Sequence, residues 1–281
     1  MSRIKLYKPT TPARRHTSIV DYANSLTKDV KPTKALLLRK KNRAGRNSTG
    51  KITVRHRGGG YRSLVRMVNF NRTFPLGFKV VSTEYDPGRT AFVCLVTDLE
   101  TGKKHYVLHT NGMKDGEKYG ANNEISAANG VVLALVPVGT EVSQLEINPG
   151  QGAKLVRGAG TYATVSAREN GFVTVKLPSG EIRKLDEKCS CVINPVGNGA
   201  HNRVRTGKAG INRHKGFRPT VRGKVMNPVD HPHGGGEARN SIGLKYPKTP
   251  WGKHALGVAT RRPKKQSAKF IVSRRNGKKA K

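Results

Sequence analysis

Between residues 78 and 193 the chain alternates short apolar runs with turn signals. The runs are Phe78–Thr83, Ala91–Thr97, His105–His109, Val131–Val136, Thr140–Ile147, Tyr162–Arg168, Phe172–Leu177, Ile182–Leu185 and Cys191–Ile193. Each is too short for an ordinary amphipathic helix, and several place apolar side chains at every second position, as a strand requires. The separators Asp86-Pro87-Gly88, Thr101-Gly102, Asn111-Gly112, Asn129-Gly130, Asn170-Gly171 and Ser179-Gly180 supply Gly where a tight turn needs positive φ. Asn170-Gly171, with apolar runs on both sides, predicts a two-residue hairpin. Nine such runs exceed one small barrel, so the pattern predicts an all-β fold of two barrels divided near Asn129-Gly130, over 61–129 and 130–197.

The flanks, residues 1–60 and 198–281, have no sustained period of either kind. Short helices are expected only over Asn198–Val204, with Asn198 as cap, and Lys208–His214, because Gly207, Gly210 and Gly216 limit them to a turn or two. Charge changes the picture. The 281 residues carry a formal net charge of +37, from 54 Lys+Arg against 17 Asp+Glu. By segment it is +14 over 1–60, +3 over 61–197 and +20 over 198–281. No acid occurs between Asp29 and Glu84, and after Glu187 only Asp230 and Glu237 remain. The extensions cannot neutralise themselves, so their counter-charge is expected on a polyanion, nucleic acid ahead of any acidic metabolite. Such segments are expected to order only on that partner, with 61–197 folding alone.

Composition removes other classes. With 32 Gly and 15 Pro the chain is neither collagen-like nor low-complexity. Three cysteines, Cys94, Cys189 and Cys191, argue against a disulfide framework. No run approaches the ~20 apolar residues of a membrane span, and Met1-Ser2-Arg3-Ile4-Lys5 does not lead into a secretory signal core. Pro9, Pro12 and Pro32 interrupt any transit-peptide-like helix, so a soluble, intracellular protein is expected.

Several motifs invite enzymatic readings and fail on spacing. Thr206-Gly207-Lys208-Ala209 lacks both the upstream Gly and the Ser/Thr of a phosphate loop. Gly158-Ala159-Gly160-Thr161-Tyr162-Ala163 is followed by a β run where a dinucleotide fingerprint opens a helix. Cys189 and Cys191 have no second ligand pair, which favours two strand cysteines over zinc. His105 and His109 lie about 13 Å apart on a strand, too far to share a metal ion. His231-Pro232-His233-Gly234-Gly235-Gly236-Glu237 is the most enzyme-like set, with two imidazoles and a carboxylate. It lies in a basic Pro/Gly coil without a nucleophile, where imidazoles and glycine backbone suit RNA phosphate or ribose. A second dense segment, Asn47 through Arg62, combines arginine forks, a triglycine (Gly58, Gly59, Gly60) and stacking candidates in His56 and Tyr61.

These residues carry a resemblance. Arg55-His56-Arg57-Gly58-Gly59-Gly60, Glu84-Tyr85-Asp86-Pro87, Arg218-Pro219-Thr220-Val221-Arg222-Gly223 and Met226 through Glu237 resemble the universal second protein of the large ribosomal subunit, bacterial type. Thr249-Pro250-Trp251-Gly252 and Lys269-Phe270-Ile271-Val272 continue it almost to the end of the chain. The resemblance implies an oligonucleotide-binding-type barrel followed by an SH3-like barrel, with long basic irregular extensions threaded into large-subunit rRNA. It also implies support of the interface with the small subunit and a position near the peptidyl-transferase region, where RNA is the catalyst. The implied partners are large-subunit rRNA, other ribosomal proteins and the small subunit. No membrane, small-molecule substrate or cofactor is implied beyond magnesium ions associated with the RNA, and a cytoplasmic ribosome is expected ahead of an organellar one. The rRNA-binding candidates are Arg46, Lys51, Arg55, His56, Arg57 and the triglycine Gly58, Gly59 and Gly60 in the first extension, with Tyr61 and Arg62 directly after it. In the second they are Arg203, Arg205, Lys208, Arg213, Lys215, Arg218, Arg222, Asn227, His231, His233, Gly234, Gly235, Gly236, Arg239, Trp251, Arg261 and Arg262.

Two departures stand out: His214 where the family often has Trp, and Ala238 after Glu237 where it often has Gly. The 109–127 loop also matches loosely. The main rival is a general RNA chaperone on an oligonucleotide-binding barrel, which would read bases with sheet aromatics; aromatics are only 6% here and the charge sits in the extensions. An enzyme using His231, His233 and Glu237 is a more distant alternative.

Overall fold

A computed structural model describes residues 3–72, 74–120, 129–237, 241–262 and 264–277. The chain divides into two compact units, one of 1–41, 62–209 and 267–281, the other of 42–61 and 210–266.

The first unit holds the β structure. Strands β1 (Ile4–Leu6), β2 (Ser18–Val20), β3 (Leu37–Arg39) and β4 (Leu64–Arg66) form two small antiparallel pairs, β1 with β2 and β3 with β4. Strands β5 (Phe78–Glu84), β6 (Val93–Asp98), β7 (Lys104–Leu108) and β8 (Lys118–Tyr119) make a sheet in the order β7-β6-β5-β8. A parallel bridge from Val68 to Tyr106 adds a further contact to β7. The apolar run around β6 reads as continuous because both of its faces are covered. Cys94 and Val96 pack with Phe74, Phe78, Val80 and Val107, while Val93 and Leu95 face Tyr106, Leu108, Ala159 and Val196. Alternation of neighbours onto opposite faces is the period-2 rule of a strand. A register shift between Val80 and Ser82 marks a bulge that turns Val81 outward.

The second sheet contains β9 (Gly130–Val132), β10 (Glu141–Ser143), β11 (Ala163–Glu169), β12 (Phe172–Lys176), β13 (Ile182–Asp186), β14 (Ser190–Ile193) and β15 (Ile271–Ser273). Their order is β15-β13-β12-β11-β10-β14-β9. The predicted hairpin closes β11 and β12: Glu169 pairs Phe172, and Asn170 and Gly171 take φ of 49° and 74°. Both left-handed values define the primed turn that matches strand twist. Val131, Leu133, Val142, Leu145, Val165, Val173, Val175 and Leu185 fill the core. Cys189 and Cys191 are buried free thiols in it, and burial pushes them up to about 11 and about 12. Cys94 is likewise buried and pushed up to about 12 by desolvation.

Some sequence expectations need adjustment. The Val131–Val136 run is a short strand followed by a 3-10 turn over Leu133–Leu135, and the Thr140–Ile147 run contributes only Glu141–Ser143 to regular strand. Asn198 precedes a 3-10 segment, Gly199–Arg203, but does not cap it; its φ is 61°, and its Nδ2 instead donates to the Thr90 carbonyl at 2.7 Å. The flanks also contribute strands that no periodicity announced, β15 most clearly, since it adds an edge to the second sheet through β13.

The first extension is tied to the first sheet at named points. Tyr106, fully buried, accepts the Thr33 backbone N–H at 3.0 Å and donates to the Glu84 carboxylate at 3.0 Å. Arg66 lies 3.5 Å from Glu84 and 3.8 Å from Asp86, and Arg89 pairs Asp86 at 2.6 Å. Burial raises the Glu84 carboxyl, against the Tyr106 hydrogen bond and the Arg66 charge. The Tyr106, Gly88 and Arg89 hydrogen bonds to the two carboxylates and the nearby Arg66 charge offset the cost of burying them. The Glu84-Tyr85-Asp86-Pro87 motif is therefore a structural brace, with the Asp86 Oδ1 also accepting the Gly88 N–H at 2.8 Å.

Candidate nucleic-acid interface

The second unit has little regular structure, and its hydrogen bonds explain how an irregular chain is held. Arg46 and Ile52 bridge across a turn in which Asn47 N–H reaches the Lys51 carbonyl and Lys51 N–H reaches Asn47 Oδ1, each at 3.0 Å. Arg46, Lys51 and Arg55 are thereby held out in solvent. His56 donates from Nδ1 to the Pro219 carbonyl at 3.1 Å, and its own carbonyl accepts the Arg218 N–H at 3.1 Å. The Arg57 guanidinium lies 4.3 Å over the Phe217 ring, a stacked cation whose N–H edges stay available.

The first triglycine has an intramolecular task. Gly58 N–H donates to the Gly216 carbonyl at 2.9 Å and Tyr61 N–H to the His214 carbonyl at 2.9 Å. A Cβ on Gly60 would fall 2.9 Å from the Gly216 Cα and backbone N, so the two strands of chain pass at glycine–glycine contact. Tyr61 stacks on His214 with centroids 4.4 Å apart while staying 73% exposed, leaving its other face open. His214 lies at the end of the single described α-helix, Ala209–His214.

His231 and His233 come together edge to face, centroids 4.6 Å apart. The His233 N–H donates to His231 Nδ1 at 3.0 Å, and the Lys248 N–H donates to His233 Nε2 at 2.8 Å. Both rings serve the backbone as acceptors. Burial, then the electrostatic effect of the neighbouring His233 and Arg55, lowers the His231 pKa. Glycine is required around them: a Cβ on Gly234 would fall 2.2 Å from the Asn227 carbonyl oxygen, and Gly235 and Gly236 take φ of 94° and 73°. Glu237 is exposed. The acid–base constellation suggested by the sequence is thus a packed loop. Among the described residues no three His, Cys, Asp or Glu side chains could hold a metal ion.

Arg46, Arg55, His56, Arg57, Arg218 and Trp251 are brought around one cleft of about 460 Å³. Lys215, Arg222, Asn227, Arg261 and Arg262 are exposed elsewhere on the same unit, and Arg213 is partly buried. Arg62, Arg203, Arg205 and Lys208 are exposed on the first unit, where Arg205 exchanges two hydrogen bonds with Ser18, its N–H to Oγ at 2.8 Å and its carbonyl from the Ser18 N–H at 2.9 Å. Arg239 and Ala238 lie outside the described residues. Sequence reasoning did not find Phe217 or Phe70, over which Arg89 and Arg157 lie at 5.6 and 4.7 Å. A lone Phe beside basic residues is the only signal either offered.

Small antiparallel sheets carrying long cationic segments of glycine, arginine and stacked aromatics define a multi-segment RNA-binding protein. Residues 33–120 match the family described as Ribosomal Proteins L2, RNA binding N-terminal domain, and residues 126–252 match Ribosomal Proteins L2, C-terminal domain. The chain belongs to the ribosomal protein L2 family. It is a structural, rRNA-binding constituent of the large ribosomal subunit and not an enzyme, and its all-β architecture agrees with an oligonucleotide-binding-type barrel followed by an SH3-like barrel.

Proposed function

We propose that this chain stabilises rRNA tertiary structure near the peptidyl-transferase region and supports association with the small subunit, in a cytoplasmic ribosome. The observation that carries this reading is the partition of charge. The extensions hold +14 and +20 of the +37, and the strand-rich middle is nearly balanced. Folded RNA is the partner that can surround such segments with phosphate. Residues 61–129 and 130–197 act as the barrels that fold first, and 1–60 and 198–281 as extensions whose order RNA completes. Thr33 on Tyr106 gives the first extension its anchor. The rRNA contacts fall to the exposed arginines and lysines from Arg46 to Arg62 and from Arg203 to Arg262, with Tyr61 and Trp251 as stacking groups. The packed loop of His231 and His233 presents Asn227 and the Gly234–Gly236 backbone to RNA.

Light scattering tests the reading on large subunits reconstituted with and without the chain. Omission is expected to slow or abolish association with small subunits. Association at the full rate without it would overturn the interface role.

A further inference from the structure

We infer that the cleft between the Arg46–Arg57 segment and the Thr249–Lys253 turn is a receptor for a single unpaired RNA base, stacked on Trp251 with its phosphates held by the surrounding arginines. The inference rests on the rRNA-binding reading and specifies one site within it.

Both walls are fixed before any ligand arrives. Trp251 sits at the tip of a tight turn in which Thr249 N–H reaches the Lys253 carbonyl at 2.7 Å and Lys253 N–H reaches Thr249 Oγ1 at 3.1 Å. Lys248 and His254 bridge behind it, and His254 stacks on Tyr246 with centroids 4.0 Å apart. This scaffold presents an indole that is 76% exposed. Facing it, Thr53 and Val54 both donate to the Gly45 carbonyl at 3.0 Å, and Gly45 takes φ of 75° where a Cβ would fall 2.0 Å from the Val54 oxygen. Ile52 and Val54 nonetheless keep their side chains 59% and 53% exposed.

The chemistry of the cleft narrows the occupant. Its volume, about 460 Å³, lies in the range of a small-molecule pocket and accommodates one nucleotide. Arg46, Arg55, Arg57 and Arg218 line it, and among the described residues no carboxylate does. The Thr53, Val54 and Arg218 backbone N–H groups are already used within the chain, so recognition falls to side chains: a flat apolar slot and several cationic forks. A planar aromatic ring attached to phosphates satisfies both features at once. An acidic peptide would satisfy only the second.

Trp251 is the only tryptophan in the chain, so its emission reports this cleft alone. The full-length chain is titrated with a large-subunit rRNA transcript at an ionic strength where gel mobility shows a complex. Emission is expected to fall at least about twofold through static quenching, and acrylamide is expected to lose access to the indole. Trp251→Leu should bind about 5- to 150-fold more weakly with an unchanged salt slope, and Trp251→Phe should recover most of the loss. Unchanged emission and acrylamide access within the complex would overturn the proposal, and so would wild-type affinity of Trp251→Leu. A poly-glutamate peptide quenching as strongly as the RNA would overturn it in favour of an acidic protein segment. Absence of any complex would instead remove the rRNA-binding reading, and this proposal with it.

Discussion

His109 makes a sharp test of how the two sheets are joined. It follows β7 directly and lies against the chain that leaves the second sheet: Gly197 N–H donates to the His109 carbonyl at 3.0 Å, and Thr110 bridges Val196. A Cβ on Gly197 would fall 1.9 Å from His109 Nδ1, an atom that is buried and has no hydrogen-bond partner. Burial lowers the imidazole to about 4, against the Met113 backbone hydrogen bond and the Asp115 charge, which raise it. An unfolded chain protonates near 6.5. Between these values the unfolded state binds the proton more tightly, so the stability from a neutral His109 is complete above about pH 6.5 and is lost as pH falls towards about 4. At pH 4.5 the loss is roughly 2–3 kcal/mol. Glu84 works in the opposite direction, because its raised pKa favours the folded state on acidification. A variant is therefore needed to isolate the histidine. Urea unfolding at pH 7.5 and 4.5, followed by near-ultraviolet circular dichroism, should show wild type losing about 2–3 kcal/mol more than His109→Gln. Equal losses in the two proteins would refute the argument.

Further substitutions separate geometry from charge. The triple variant Arg57→Lys, Arg218→Lys, Arg222→Lys keeps every charge but loses the planar forks and the Arg57–Phe217 stack, so subunit assembly yield should fall; wild-type yield and an unchanged rRNA footprint would show that charge suffices. His231→Gln and His233→Gln retain an acceptor that cannot titrate near neutral pH, so assembled subunits should form peptide bonds at close to the normal rate. A loss of ~10²-fold in the chemical step with footprints intact would revive a catalytic role. Gly235→Val should impair assembly because φ is 94° and a Cβ meets the Pro228 ring at 3.1 Å. Gly60→Ala should cost about 1–3 kcal/mol of the stability of its unit, since the clash is with backbone; Gly50→Ala, with open space around it, should cost only the strain of a positive φ, about 1 kcal/mol, in the same urea titration.

Period and turn chemistry made most of the scaffold legible. The Asn170-Gly171 turn needs only local φ, and β5, β6, β7, β11, β12 and β13 fall within about two residues of the runs that announced them. What sequence could not show depends on distant partners. Ile271–Ser273 becomes a strand only because β13 offers an edge, and Asn198 leaves its expected cap because the Thr90 carbonyl is within reach. The same holds at the candidate interface. The triglycine at 58–60 and the pair His231 and His233 were visible as unusual, but their intrachain tasks rest on Gly216, Asn227 and Lys248. Trp251 was legible only through the resemblance of Thr249-Pro250-Trp251-Gly252; the cleft gives it neighbours 194 to 207 residues away, from Arg57 back to Ala44.

The central claim is that cationic extensions recognise folded large-subunit rRNA through many simultaneous phosphate contacts. Its most direct test is the salt dependence of affinity of the full chain for a folded large-subunit rRNA transcript, measured beside an unstructured RNA of equal length. With six to ten phosphates neutralised, affinity for the folded transcript should drop about 10³–10⁵-fold between roughly 50 and 200 mM salt while its preference over the unstructured RNA persists. Equal affinity for the two RNAs, or an affinity that barely responds to salt, would contradict the account.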